Sequence, residues 1–110
     1  MAKRQFIKIQ KILAELFGER GLSLNKIVVF GSWARGRQTK ESDIDLIIVS
    51  RDFRGKDLVQ RVELVNGIHA ELVHRTKKPF DILYYSDQEW KEGRGLIINE
   101  AKKNGKVIFG

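Results

Sequence analysis

Apolar residues recur at helical spacing near the start of the chain. Phe6, Ile9, Leu13 and Leu16 form one stripe, Ile7, Ile12 and Phe17 widen it, and charges occupy the opposite side. This predicts an amphipathic helix over residues 4–17, packed on a sheet and punctuated by Gly18 and Gly21. The period then changes. Lys26-Ile27-Val28-Val29-Phe30 is a β-branched run that predicts a strand entering a tight turn at Gly31. Residues 33–37 read as a short helix and residues 37–41 as polar loop. A second strand is expected over about 43–50, polar at its start and then apolar on both faces, as when helices cover both sides.

Residues 51–56 read as a loop with Gly55. A long helix is expected from Asp57, with Leu58, Val62, Val65, Ile68 or His69, and Leu72 on one stripe. Gly67 lies inside it and costs about 1 kcal/mol against Ala, which marks a candidate break. Pro79 introduces a third strand, Phe80-Asp81-Ile82-Leu83-Tyr84-Tyr85. Ser86-Asp87-Gln88-Glu89 then matches a capping box ahead of a last helix running to about Asn104, with Gly93 and Gly95 as candidate breaks. Gly105 stops that helix, and Lys106-Val107-Ile108-Phe109 reads as a final short strand. Helices and strands alternate throughout, which predicts an α/β sandwich.

At 110 residues the expectation is one domain, 1–110, with no room for a second module. Apolar content of 42% against 32% charged residues places the chain among soluble globular proteins. The absence of cysteine excludes disulfides, thiol chemistry and cysteine-based zinc sites, and fits a reducing cytosol. No run approaches 18 apolar residues, so a cytoplasmic protein without a membrane segment is expected. The net charge of +7, from 21 basic and 14 acidic residues, favours polyanions: a nucleoside triphosphate, an acidic partner protein, or nucleic acid, the last not the favoured cognate partner. The lysines of the first helix read as a solvated face rather than a membrane or nucleic-acid face.

The chemistry concentrates in Gly31-Ser32-Trp33-Ala34-Arg35-Gly36 and, after a basic loop, Ser42-Asp43-Ile44-Asp45. Gly31 would let a phosphate approach the main chain, and Ser32 stands where helix N–H groups would favour an anion. Asp43 and Asp45 alternate along a strand, so both side chains point to one face, roughly 7 Å apart. Hard divalent cations suit such a pair, with phosphate oxygens as further ligands. A third carboxylate is needed to hold two metals. Asp81 is the one acid within the third expected strand, and an unpaired carboxylate among Phe80, Ile82 and Leu83 would be costly to desolvate.

The pattern Gly-Ser, ten residues, Asp-x-Asp resembles the signature of the DNA polymerase beta-type nucleotidyltransferases. The short chain narrows the resemblance to the minimal nucleotidyltransferases, stand-alone proteins often paired with HEPN-domain partners in prokaryotes. The resemblance implies a palm-like α/β (α+β) fold with a mixed four-stranded sheet. It implies transfer of a nucleoside monophosphate, AMP from ATP, with two Mg2+ ions held by Asp43, Asp45 and Asp81. One ion would hold the triphosphate and the other would lower the pKa of the attacking hydroxyl. In the family the third metal-site acid comes from a following strand, which carries that role to Asp81, also as base or base-assisting ligand. Gly31, Ser32 and Arg35 would bind the nucleotide phosphates. Minimal family members act as antitoxins to HEPN ribonucleases, and some transfer AMP to a tyrosine of that partner. The implied partners are therefore a HEPN-domain toxin and a nucleoside triphosphate, in a homodimer or hetero-oligomer.

Structural readings stand beside these. Asp43 and Asp45 could be turn-forming acids; Asp81 could cap a strand end or pair with a lysine; Arg35 could form a surface ion pair. Arg37 and Lys40 are looser phosphate candidates. Trp33 could stack on a base but reads first as packing. His69 and His74, five apart, do not share a helix face as ligands would, and Tyr84 and Tyr85 read as sheet aromatics. Two other functions remain open: a non-catalytic partner subunit that retains a nucleotide site, and a basic nucleic-acid-binding module.

Overall fold

Strands β1 (Lys26–Phe30) and β2 (Ile44–Val49) are buried on both faces, and this double burial dictates the architecture. Ile27, Val28 and Val29 of β1, and Ile44, Leu46, Ile47, Ile48 and Val49 of β2, are all essentially inaccessible. Strands with two apolar faces must be central and covered on both sides. In the computed structural model, which describes residues 2–39 and 41–110, they form the middle of a four-stranded sheet of order β3-β2-β1-β4. β1 is antiparallel to β2 and to β4 (Lys106–Phe109), whereas β2 and β3 (Phe80–Tyr85) are parallel, so the sheet is mixed.

Helix α1 (Ala2–Glu19) lays Phe6, Ile9, Leu13, Leu16 and Phe17 against one face of the sheet, where they meet Ile27, Val29, Ile44, Leu46 and Ile48. α3 (Ile68–Thr76) adds Ile68 and Leu72, and a 3-10 turn at Arg51–Phe53 adds Phe53. The opposite face carries a smaller core of Val28, Ile47, Val49, Trp90, Ile98 and Ala101, closed by α4 (Asp87–Glu92) and α5 (Leu96–Asn104). The capping box forms: Glu89 N–H donates to Ser86 Oγ at 3.1 Å, and Ser86 N–H to Glu89 Oε1 at 2.8 Å. Among the described residues no helix is long and apolar enough to cross a membrane.

Two expectations are corrected. The helix expected from Asp57 is two helices, α2 (Leu58–Leu64) and α3, parted by Gly67 at φ +88°. α2 ends at Leu64, so Val65, Ile68 and Leu72 lie in the core around the break, while the short helix before it turns Leu58 and Val62 outward. Leu58 is 68% exposed and Val62 49%, and α2 buries no residue of its own. Polar bonds hold it instead: Arg61 Nη1 donates to Tyr84 O at 2.9 Å and pairs with Glu89 at 2.7 Å. The second correction concerns residues 33–37, which form a turn rather than a helix. Gly31 and Gly36, both at positive φ, bracket a single turn closed by Arg35 N–H to Gly31 O and Arg37 N–H to Ser32 O, too short to propagate as a helix.

The two kinds of apolar position should respond differently to truncation. Leu46→Ala is expected to cost about 2–5 kcal/mol in urea unfolding followed by tryptophan fluorescence. Leu58→Ala should stay within about 0.5 kcal/mol of the unaltered protein, whereas a buried α2 stripe would make the two losses similar.

Candidate active site

The alternation of β2 fixes the first two carboxylates. Ile44, Leu46 and Ile48 point into the α1–α3 core, and Ile47 and Val49 into the α4–α5 core. Asp45 therefore faces the α4–α5 side, as does Asp43 just before the strand. Strand β3 repeats the pattern, with Phe80, Ile82 and Tyr84 on the α1–α3 side and Leu83 and Tyr85 on the other. Asp81 thus shares the face of Asp43 and Asp45. It also stands in register with Asp45 on the neighbouring parallel strand, where backbones run about 4.8 Å apart. Ile44 N–H donates to Pro79 O at 2.9 Å, which ties the two strand starts together.

Asp45 feels its two acidic neighbours. The Asp45 carboxyl is pushed above the ordinary aspartate range, first by partial burial, then by the negative charges of Asp81 and Asp43. Asp43 and Asp81 are exposed and Asp45 half-buried, so the cluster opens to solvent. Among the described residues no three His, Asp or Glu side chains are already drawn together at ligand spacing. Mutual repulsion opposes that closure, and a hard divalent cation is the group whose charge and oxygen preference would relieve it. The backbone beside them is shaped for close approach: Gly31 has φ +70°, and a Cβ there would collide with the Asp45 carboxylate. The donor set and the glycine both fit a metal–phosphate site.

Across Gly31 from Asp45 lies a cavity of about 240 Å3 lined by Phe30, Gly31, Ser32, Arg35, Arg37, by Glu100 and Asn104 of α5, and by Gly105 just after it. Whole small-molecule sites take about 300–1,000 Å3. This one has room for a phosphate tail, with a nucleoside left outside it. The acids do not line it; Asp45 adjoins it through Gly31. Its turn is anchored by the buried Trp33 and Ala34, and Trp33 Nε1–H donates to Ser42 O at 3.4 Å, joining the turn to the segment that leads into β2.

The expected residues thus fall into two adjoining groups, Asp43, Asp45 and Asp81 in one and Gly31, Ser32 and Arg35 in the other. Arg35 is engaged within the protein, its Nη2–H donating to Glu100 Oε1 at 2.7 Å. Arg37 reaches the cavity wall, and Lys40 lies outside the described residues. Trp33 is core, and His69 Nε2 lies 3.1 Å from Phe80 O in a structural contact. Tyr84 packs edge-on to Phe53, with its hydroxyl pKa pushed up to about 12 by burial. Glu100 and Asn104 were not singled out by the sequence. As polar residues on a helix they carry no signal of a site until β4 folds α5 back beside β1.

Comparison with known proteins matches residues 7–108 to a family described as the nucleotidyltransferase domain. A Methanocaldococcus jannaschii protein, named as a candidate protein adenylyltransferase, is 31% identical over 88 residues, 78% of this chain and 79% of that protein. A chain from the crystal structure of a toxin–antitoxin complex with AMP-PNP superposes with a TM-score of 0.61 at 22% identity, covering 91% of this chain and 72% of that one. A chain from the complex of a tri-AMPylated Shewanella oneidensis HEPN toxin with its MNT antitoxin gives 0.57 at 20% identity, covering 100% and 73%. Both share the fold.

Removing one charge from the acid cluster should stabilise the cation-free protein. Because the folded-state pKa of Asp45 is raised, its ionised form costs stability above that pKa, and the cost fades as the pH falls through it. Asp45→Asn should therefore raise Tm in a chelating buffer at neutral pH, with a gain that shrinks as the pH enters the carboxylate range. Added Mg2+ should raise the Tm of the unaltered protein and leave the variant nearly unmoved. A variant less stable than its parent in chelator would contradict the repulsive cluster.

Proposed function

We propose, from the premise that this chain belongs to the nucleotidyltransferase domain family and is a nucleotidyltransferase, that it moves AMP from ATP to a protein hydroxyl, as the antitoxin of a HEPN-type toxin in the cytoplasm. The observation that carries the reading is the placement of Asp43, Asp45 and Asp81 on one face beside the Gly31–Ser32 turn. The acceptor assignment draws on the adenylyltransferase name of the archaeal relative and the AMPylated toxin of the structural neighbour. Leu58, Val59 and Val62, turned outward on α2, leave apolar surface for such a partner.

In this reading Asp43 and Asp45 hold divalent cations, magnesium by family likeness, and Asp81 completes the ligand set. The bound ions would offset polyphosphate charge and lower the pKa of the attacking hydroxyl. Ser32 and the backbone after Gly31 receive the β- or γ-phosphate, and Arg35 supplies a guanidinium to the same tail. The acceptor oxygen forms a bond to the α-phosphorus while the α–β bridging bond breaks. Pyrophosphate leaves with the bonding pair, and the hydroxyl proton passes to Asp81. The whole of residues 1–110 acts as one minimal domain, with the acceptor brought by the partner.

Incubation with α-labelled ATP, Mg2+ and a HEPN-type partner protein should transfer label to that partner. Asp43→Ala with Asp45→Ala should cut transfer by about 1,000-fold or more, since charge stabilisation by metal is worth several kcal/mol. Asp81→Ala should fall comparably. Neutralisation of the partner that survives the double change, without label, would assign the protein a contact-only role.

A further inference from the structure

The α5 wall of the phosphate-sized cavity carries a negative charge. Glu100 Oε1 accepts from Arg35 Nη2–H and from Asn104 Nδ2–H, both at 2.7 Å. Asn104 lies one helical turn further along α5, so its amide fixes the carboxylate in the direction of Arg35. Asn104 and Arg35, with Lys103 nearby, hold the Glu100 carboxyl below its ordinary range, and it is fully ionised at neutral pH. An anion seat gains nothing from a fixed carboxylate. Yet Glu100, Arg35 and Ser32 line the same small hollow.

Carboxylate and phosphate oxygens take the same N–H donors of a guanidinium, at the same distances. The pair is not buried: the Arg35 and Glu100 side chains are 49% and 50% exposed. Such a pair is weak and readily exchanged for an anion of higher charge. We infer that Glu100 is an internal competitor for the phosphate seat, its carboxylate occupying the guanidinium of Arg35 until a polyphosphate displaces it. This rests on the reading of the cavity as the polyphosphate site. It makes Glu100 an affinity-setting residue that holds bare or singly charged anions off Arg35. A triphosphate carries enough charge to take Arg35 over. A residue that instead aimed Arg35 at the ligand would lower affinity when lost, so the sign of one substitution separates the two roles.

The test titrates inorganic tripolyphosphate into the full chain by calorimetry, and AMP-PNP with Mg2+ in parallel. Glu100→Gln keeps the shape and the capacity to accept a hydrogen bond while removing the charge. It should bind tripolyphosphate about five- to tenfold more tightly at low salt, a gain that dwindles in 0.5 M salt. Glu100→Ala should show the same direction. In an Arg35→Gln background the gain should shrink, because no guanidinium is released. Unchanged, absent or weaker binding by both Glu100 variants overturns the inference. Tripolyphosphate has no group to transfer, so this readout is separate from labelling: tighter binding without label transfer retains the competitor and rejects the adenylyl-transfer reading. Transfer without tighter binding does the reverse.

Discussion

Three like charges sit at one end of the sheet because apolar register leaves them nowhere else to go. Ile44 and Leu46 flank Asp45 and are wholly buried on the opposite face, so the Asp45 side chain must emerge on the α4–α5 side. Sliding β2 by one residue would turn Ile44, Leu46 and Ile48 out of the larger core and the acids into it. Parallel pairing then sets Asp81 directly beside Asp45. Hydrophobic burial enforces an electrostatic cost, and the raised pKa of Asp45 is its trace. Burial contributes most to that cost, and the like charges of Asp81 and Asp43 add to it.

The remainder of the site is built against that point from parts held independently of it. Gly31 ends β1 at positive φ and lets the chain pass the Asp45 carboxylate without a side chain in the way. Trp33 pins the following turn to the α1–α3 core, so Ser32 and Arg35 project from an anchored base even though the turn is not a helix. α5 supplies the far wall. Its place follows from β4, which pairs with the free edge of β1, and from Gly105, where a Cβ would press on Ala101 O and Val29 O. The cavity therefore has one wall from the Gly31–Arg35 turn and one from α5 and Gly105.

The other edge of the sheet is organised differently. α2 contributes no buried residue and is tethered through Arg61 to Tyr84 O and Glu89. Polar tethering at β3 satisfies one carbonyl of the edge strand and leaves Leu58, Val59 and Val62 facing outward. The acid cluster and the exposed apolar surface of α2 thus depend on different forces, apolar register at the one and polar tethering at the other.

The sequence by itself determined the strands, the glycine turn and the pairing of Asp43 with Asp45. Each depends on local sequence: a period of two along a strand, a β-branched run, a glycine where a strand enters a tight turn. It also marked Asp81 as the acid that could join them. It misjudged residues 33–37, where glycines at both ends of a short segment outweigh its helix-compatible composition. It marked Gly67 as a candidate break but misjudged α2, whose Leu58 and Val62 it placed on the buried stripe. Only the tertiary structure decided that Asp81 shares the face of the other two acids and that Glu100 meets Arg35 across 65 residues of chain. Such meetings are set by which strands pair and which helix packs beneath them, and no spacing within a single element records that.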